Sequence, residues 1–180
     1  MTDRKTVLVV SAHAADFVWR AGGAIALHQQ LGYEVTIVCL SYGERGESAK
    51  LWKEPGATLE KVKASRRNEA KAAAQALGAH DIQFFDLGDY PLEMDRQAKF
   101  QLADLMRAVQ PRFLMSHSLY DPYNTDHAYA TQVTMECRMI AQAWGHNPGE
   151  QVLGAPQLYL FEPHQTEQMQ WKPDVFLDIT

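Results

Sequence analysis

Hydrophobic residues along this chain fall into short apolar runs, separated by longer stretches in which apolar positions recur every three or four residues. Five of the runs are typical of buried strands, at residues 6–11, 35–40, 82–85, 113–117 and 158–161. The longer stretches predict helices at 18–31, 58–77, 94–109 and 126–144. Because strands and helices alternate, we expect an α/β fold, a Rossmann-like and mostly parallel β-sheet with helices on both faces.

The end of the chain carries a further apolar run at 175–179, which predicts a sixth strand. A natural domain seldom stops on such a strand, so we expect the protein to continue beyond Thr180, with a helix among the missing residues. The polar segment 41–56 contains glycines and has no periodicity, which indicates a long loop, and loops of that length are usually functional. From its length, the stretch 1–180 is expected to form a single α/β domain.

Charge and cysteine content narrow the class of protein. The formal net charge is -5 and no basic run is available to neutralise phosphates, which argues against a nucleic-acid partner. We expect neither a signal peptide nor a membrane anchor, because the chain enters a strand directly and no stretch approaches the roughly 20 apolar residues of a membrane span. Cys39 and Cys137 lie in apolar stretches and are expected as buried free thiols. We therefore expect a cytoplasmic protein that acts on a small molecule. A homo-oligomer is possible, but the sequence does not identify the oligomeric state.

His13 and Asp16 come directly after the first predicted strand, at the edge where parallel strands bind ligands. His127 follows the fourth predicted strand at the same edge. Two imidazoles and one carboxylate leave a fourth position for water or substrate, which is the composition of a catalytic zinc site. The alternative is that these are ordinary strand-end and helix-cap residues. Asp126, just before a helix, is expected as a cap or as the carboxylate that orients an imidazole, not as a ligand.

The acid and the base of any reaction must come from outside the first turn, because Ala14 and Ala15 carry no functional group. Glu47, in the long loop after the second strand, is one candidate. His164 follows the fifth strand and is the other, since imidazole ordinarily titrates near neutral pH. His117, at the end of the fourth strand, competes with it. For each histidine the alternative is a structural hydrogen bond, and for Glu47 it is a solvated charged loop.

Two arginines are candidates for binding an anionic substrate. Arg45 lies in the same loop and offers a guanidinium that can bind a carboxylate in bidentate fashion. Arg66 lies on the second long helix, one turn before Glu69, and is a candidate for a second anion contact. The alternative for Arg66 and Glu69 is a surface ion pair on one helix face.

Taken together, these motifs resemble the zinc-dependent de-N-acetylases of the LmbE and PIG-L type. The matching segments are Ala12–Phe17, Gly22–Gly23, Ser41–Glu47, Arg66–Glu69 and Asn124–His127, so the likeness extends over nearly the whole chain. The resemblance implies Zn²⁺ as the cofactor. Carried over position by position, it also implies that His13, Asp16 and His127 are the zinc ligands.

The chain departs from that family at two positions. Ala15 stands where the deacetylases have the Asp that acts as general base, and Asn124 stands where they have a His that stabilises the oxyanion. Loss of a general base typically lowers a rate by about 10²–10⁴-fold. Because the ligand residues are kept while the base is not, the resemblance implies different chemistry on the same metal site.

The Ala-His-Ala-Ala-Asp-Phe form of the signature is similar to members of the superfamily that hydrate 4-oxalomesaconate in gallate breakdown. This implies a zinc-dependent hydratase that adds water to the C=C bond of an unsaturated oxo-carboxylic acid. Glu47 and His164 are then the acid and the base, in either order, and Arg45, Arg66 and Asn124 contact the substrate. Two alternatives stay open: a zinc-dependent N-deacetylase or amidase with a recruited base, and a non-catalytic zinc-dependent binding protein.

Overall fold

Five strands and five helices follow one another along residues 5–180, the part of the chain that the computed structural model describes. The strands are β1 (Thr6–Ser11), β2 (Glu34–Cys39), β3 (Asp81–Phe84), β4 (Phe113–Ser116) and β5 (Gln157–Leu160). The helices are α1 (Asp16–Gln30), α2 (Ala49–Trp52), α3 (Leu59–Ala76), α4 (Arg96–Val109) and α5 (Thr125–Gln142). All five strands and the four long helices expected before residue 175 are present, within two residues of their predicted bounds.

The strands form one parallel sheet in the order β3-β2-β1-β4-β5. β1 is central: its Val9 lies opposite Ile37 of β2 on one side and opposite Met115 of β4 on the other. The chain proceeds outward from β1 through β2 and β3, and then returns to continue through β4 and β5 on the other side. The strand order therefore reverses between β1 and β4. Such a switch point leaves a crevice beyond the carboxyl ends of the strands, where α/β proteins bind ligands.

The central strand is buried on both faces, which explains its continuous apolar sequence. Leu8 and Val10 face a core formed with α4 and α5, whereas Val7 and Val9 face a core formed with α1 and α3. Because successive side chains of a strand point to opposite faces, one six-residue run contributes to both cores. This double burial holds the end of β1 rigidly, and with it the turn that follows.

The predicted sixth strand is wrong. Residues 161–180 contain neither helix nor strand, and the apolar side chains of 175–179 are exposed, Phe176 to 82%. A strand needs a partner edge, and none of the described residues pairs with the outer edge of β5. Ile179 instead rests against Gly23 of α1, where an added Cβ would lie 2.7 Å from the isoleucine side chain. The apolar composition of 175–179 indicates that these residues favour burial, but it does not indicate which part of the protein would bury them.

The loop predicted at 41–56 is only partly irregular, because it contains the one-turn helix α2. Before α2 the chain passes through Gly43, whose φ of +66° is a conformation that favours glycine. The hydroxyl of Ser48 donates a hydrogen bond to the carbonyl of Gly43. The residues between β2 and α2 are thus folded back on themselves beside the end of β1.

Both cysteines are buried free thiols, as the sequence predicts. Burial raises the pKa of Cys137 to about 12, and it raises the pKa of Cys39 as well. Among the helices of residues 5–180, none combines the length and the hydropathy needed to cross a membrane.

Candidate metal centre and active site

A cluster of buried ionisable side chains lies at the switch point, beyond the carboxyl ends of β1 and β4. His13 follows β1, Asp16 is the first residue of α1, and His127 lies in the first turn of α5. All three side chains are buried. The three residues predicted as metal ligands are therefore brought together by the topology of the sheet, although they come from distant parts of the chain.

Asp16 connects the turn after β1 to both imidazoles. Its Oδ2 accepts a hydrogen bond of 2.8 Å from the backbone N–H of His13 and lies 3.1 Å from His13 Nδ1. Its Oδ1 lies 3.3 Å from Nε2 of His127. Ala15, which precedes it, caps α1 without a side-chain hydrogen bond. One carboxylate thus closes the turn and faces both rings.

Two further carboxylates hold the imidazoles from the outside. Oδ2 of Asp126 lies 3.2 Å from His13 Nε2, and Oδ2 of Asp121 lies 2.9 Å from His127 Nδ1. Asp126 is itself held by the backbone N–H groups of Tyr90 and Leu92. Since a carboxylate is an acceptor, each ring carries its proton on the outer nitrogen.

The inner nitrogens of the two rings have no hydrogen-bond partner. Nδ1 of His13 and Nε2 of His127 are both buried, and neither forms a hydrogen bond with the described residues. Buried polar atoms are nearly always satisfied, so unpartnered nitrogens at one place require an explanation. Metal binding requires a deprotonated nitrogen, and with only the outer nitrogens protonated both inner nitrogens would present a lone pair to the space beside Asp16. This is the donor arrangement that a metal ion with N and O ligands needs.

Glu47 approaches the same space from the loop after β2. Its Oε1 lies 3.3 Å from His13 Nδ1, and its Oε2 is buried without a hydrogen bond, 3.6 Å from the guanidinium of Arg66. One ligand atom from each of His13, Asp16, Glu47 and His127 lies within 4.8 Å of the others. The donor set and the unpartnered atoms therefore fit a divalent cation, with Glu47 at its side.

The charges of the cluster favour a cation strongly. Burial alone would lower the pKa of His13, but the nearby carboxylates of Asp126, Asp16 and Glu47 outweigh it and raise that pKa to about 12. A metal ion at the inner nitrogen would therefore take the place of a proton. Burial likewise opposes ionisation of Asp16, yet its contacts with His127 and His13 hold its pKa well below the usual range. Removal of the cationic partner would leave several buried carboxylates facing one another. A bound metal ion would supply that positive charge.

A cavity of about 380 Å³ opens beside the cluster. The residues that line it are Ala15, Asp16, Trp19, Arg20, Glu47, Arg66 and His164. His164 is partly exposed, and its Nδ1 lies 3.2 Å from the Asp121 oxygen that also binds His127. Both candidate proton-transfer residues, Glu47 and His164, thus line one space next to the predicted metal ligands.

The three predicted substrate contacts differ in position. Arg66 lines the cavity and also pairs with Glu69 at 2.8 Å, so it is more than a surface ion pair. Arg45 is exposed and does not line the cavity; its guanidinium donates to the backbone carbonyl of Asp89. Asn124 does not line it either, because its carbonyl oxygen caps α5 and its amide donates to the hydroxyl of Tyr90.

His117, the competitor to His164, is fully buried at the end of β4. Its Nε2 accepts the backbone N–H of Ala12 at 3.0 Å, and its ring stacks on that of His127. Burial lowers the pKa of His117 to about 3, so the ring is neutral at physiological pH. The His117 ring therefore packs beneath the site and does not line the cavity.

Several residues around the site were not predicted. Asp121 bridges two histidines, and Tyr90 stacks on His13 from the segment after β3. Trp19 and Arg20 line the cavity from α1. Only Arg20 carried a usable signal, since it lies four residues after Asp16 and therefore on the same helix face. The rest depend on which loops meet, which local sequence does not specify.

Comparison with known proteins identifies relatives for this arrangement. The sequence profile of the PIG-L family, described as GlcNAc-PI de-N-acetylase, matches residues 8–138. The chain is 61% identical to 4-oxalmesaconate hydratase from Pseudomonas putida, over 99% of this chain and 69% of that protein. It is 33% identical to a probable N-acetyl-alpha-D-glucosaminyl L-malate deacetylase 2 from Bacillus anthracis, over 61% of this chain and 46% of that protein.

A solved structure supports the same likeness. The crystal structure of 4-carboxy-2-hydroxymuconate hydratase from Pseudomonas putida superposes with a TM-score of 0.94 at 61% identity, covering 97% of this chain and 72% of that one. The parallel sheet and its helices are therefore the arrangement found in this relative.

The outer carboxylates generate a prediction for metal affinity. Substitution of Asp121→Asn or Asp126→Asn should weaken zinc binding by about 10–100-fold, because the imidazole that each carboxylate orients becomes less basic and less fixed. Competition of the purified protein with a chromophoric chelator measures this. Asp104→Asn is the matched control, since Asp104 accepts a hydrogen bond from His146 away from the site. Equal zinc affinity of all three variants and the wild type would contradict the assignment.

Proposed function

We propose that this chain, which belongs to the PIG-L family of GlcNAc-PI de-N-acetylases, is a zinc-dependent hydratase. It is an enzyme of the hydro-lyase class that adds water to the C=C bond of an unsaturated oxo-carboxylic acid. The proposed substrate is 4-oxalomesaconate, in the breakdown of gallate. The observation that carries the proposal is the sequence identity with a hydratase of that substrate, which extends over nearly the whole chain.

His13, Asp16 and His127 are the proposed zinc ligands. The unpartnered inner nitrogens of the two imidazoles and the carboxylate between them support this assignment. When bound there, zinc supplies a Lewis acid that stabilises negative charge developing on an oxygen. Addition of water to a double bond conjugated to a carbonyl needs that stabilisation, because an enolate develops as the new C–O bond forms.

Glu47 is the proposed base. Ala15, at the position where the related deacetylases have their base, offers only a methyl group, whereas Glu47 offers a carboxylate beside the ligand cluster. The guanidinium of Arg66 lies 3.6 Å from Oε2 of Glu47 and holds the carboxylate beside the cluster. Glu47 would take one proton from the attacking water as its oxygen bonds to carbon.

His164 is the proposed acid. Asp121 accepts a hydrogen bond from its Nδ1, which leaves Nε2 to exchange a proton with the substrate. His164 would deliver one proton to the neighbouring carbon of the former double bond. The sum is the addition of one water molecule, and both residues then return to their starting forms by exchange with solvent.

Arg66 is the proposed carboxylate contact. Its guanidinium faces the cavity and can form the bidentate pair that carboxylates favour. In this proposal Arg45 and Asn124 do not contact the substrate but position other residues of the site. Arg45 holds the loop of Glu47 to the segment after β3, and Asn124 positions Tyr90. A cytoplasmic location is also proposed, since the free thiols Cys39 and Cys137 fit a reducing compartment.

Deacetylation is the second candidate, because the family is described by that activity. It requires a base for amide hydrolysis, and Glu47 would have to supply it in place of residue 15. The direct test uses the zinc-loaded chain with two substrates, 4-oxalomesaconate and N-acetylglucosaminyl compounds. We expect loss of the ultraviolet absorbance of the conjugated acid and no release of acetate. Acetate release without loss of absorbance would replace the hydratase by the deacetylase.

Two variants test the acid and base. Glu47→Gln and His164→Ala should each lower kcat by about 10²–10⁴-fold with zinc content kept, because each removes a proton-transfer group but no proposed ligand. Hydration rates and metal analysis on the same preparations measure both quantities. His80→Ala, an exposed histidine outside the site, is the control. Wild-type turnover in both variants would exclude these roles, and loss of zinc from Glu47→Gln would make Glu47 a ligand instead.

Gly43 provides a test of how Glu47 is positioned. A Cβ at Gly43 would lie 2.9 Å from Oε2 of Glu47, so Gly43→Ala should displace that carboxylate and lower kcat by at least about tenfold. Gly32→Ala is the matched control: Gly32 also has a positive φ, but its added Cβ would meet nothing within 4 Å. Both variants should lose similar thermal stability, and only Gly43→Ala should lose activity. Equal activities of Gly43→Ala and Gly32→Ala would show that the close approach of Gly43 to Glu47 does not position the carboxylate.

A further inference from the structure

The cavity beside the metal cluster contains one cationic side chain that no protein group balances. Arg20 lines the cavity and is half-buried, yet it forms neither a hydrogen bond nor an ion pair with residues 5–180. Arg66, the other arginine of the cavity, is paired with both Glu47 and Glu69. The positive charge available to a ligand is therefore mainly that of Arg20.

The nearest acid on the same helix face does not neutralise Arg20. Asp16 lies four residues earlier on α1, at the spacing where opposite charges ordinarily pair. Its two oxygens are instead directed at His13 and His127, at distances of 2.8 to 3.3 Å. Because the imidazole cluster engages both oxygens, the guanidinium of Arg20 keeps its five N–H donors for another acceptor.

We propose that Arg20 binds one carboxylate of the substrate and so makes the enzyme selective for tricarboxylates over dicarboxylates. This deepens the proposed hydratase function and rests on it for the identity of the substrate. A guanidinium suits this task, since it is permanently charged and matches the two oxygens of a carboxylate. Arg66 lies on the same cavity from α3, so two helices each offer one guanidinium to a single polycarboxylate.

The test compares zinc-loaded wild type with Arg20→Gln, Arg20→Lys and Arg112→Gln. Arg112 is the matched control because it is exposed and lies just before β4, at the opposite edge of the sheet. Turnover is measured with 4-oxalomesaconate. Binding is measured by calorimetry with propane-1,2,3-tricarboxylate, which cannot be hydrated, and with propane-1,3-dicarboxylate, which lacks one carboxylate.

For Arg20→Gln we expect KM and the tricarboxylate Kd to rise by about 10–100-fold, the loss typical of one charge-assisted pair, while kcat changes by less than about threefold. The dicarboxylate Kd should change by much less. Arg20→Lys should recover part of the affinity, because the charge remains but the planar fork is lost. Arg112→Gln should match the wild type, as should the zinc content of every variant.

Two results overturn the role of Arg20: a wild type that binds no tricarboxylate, or an Arg20→Gln variant whose affinities for the two ligands are unchanged or fall equally. Failure of the hydratase proposal looks different. A wild type that binds the tricarboxylate through Arg20 but leaves the absorbance of 4-oxalomesaconate unchanged would keep this site and reject that reaction.

Discussion

Two imidazoles can bind one cation only when the lone pair of each points to the same place. His13 and His127 reach the switch point from different strands, and neither local turn determines which ring nitrogen carries the proton. Asp126 and Asp121 do so, because each accepts the N–H on the outer side of one ring. Asp126 in turn depends on backbone N–H groups of the segment after β3. The candidate metal centre therefore requires the connections after β1, β3 and β4 to be in place together.

This dependence shows how such a scaffold could keep a metal site while its acid and base residues differ. The proposed ligands come from the strand ends and are held by buried contacts, whereas the proposed proton-transfer groups come from the surrounding loops. Ala15 leaves the turn after β1 without a functional group, and Glu47 approaches the same centre from the loop after β2. Gly43 allows that approach because any larger residue would meet the Glu47 carboxylate. A change of acid–base geometry thus leaves the sheet and the ligands untouched.

The cavity combines opposite charges at short range, which suits a polyanionic substrate that must also meet a cation. Two carboxylates, Asp16 and Glu47, line it together with Arg20, Arg66 and His164. Glu47 and Arg66 pair across it at 3.6 Å. Asp16 is instead engaged by the two imidazoles and leaves the charge of Arg20 unpaired.

The sequence by itself determined the alternating elements and the residues at the ends of β1 and β4, because apolar periodicity and the parallel topology are local or nearly local properties. It failed at 175–179, where burial depends on a neighbour that composition does not name. It also could not indicate Asp121 as a bridge between His127 and His164, or the exclusion of Arg45 from the cavity. Those outcomes were decided only by the tertiary structure, since they depend on distances between loops whose contacts no local pattern encodes.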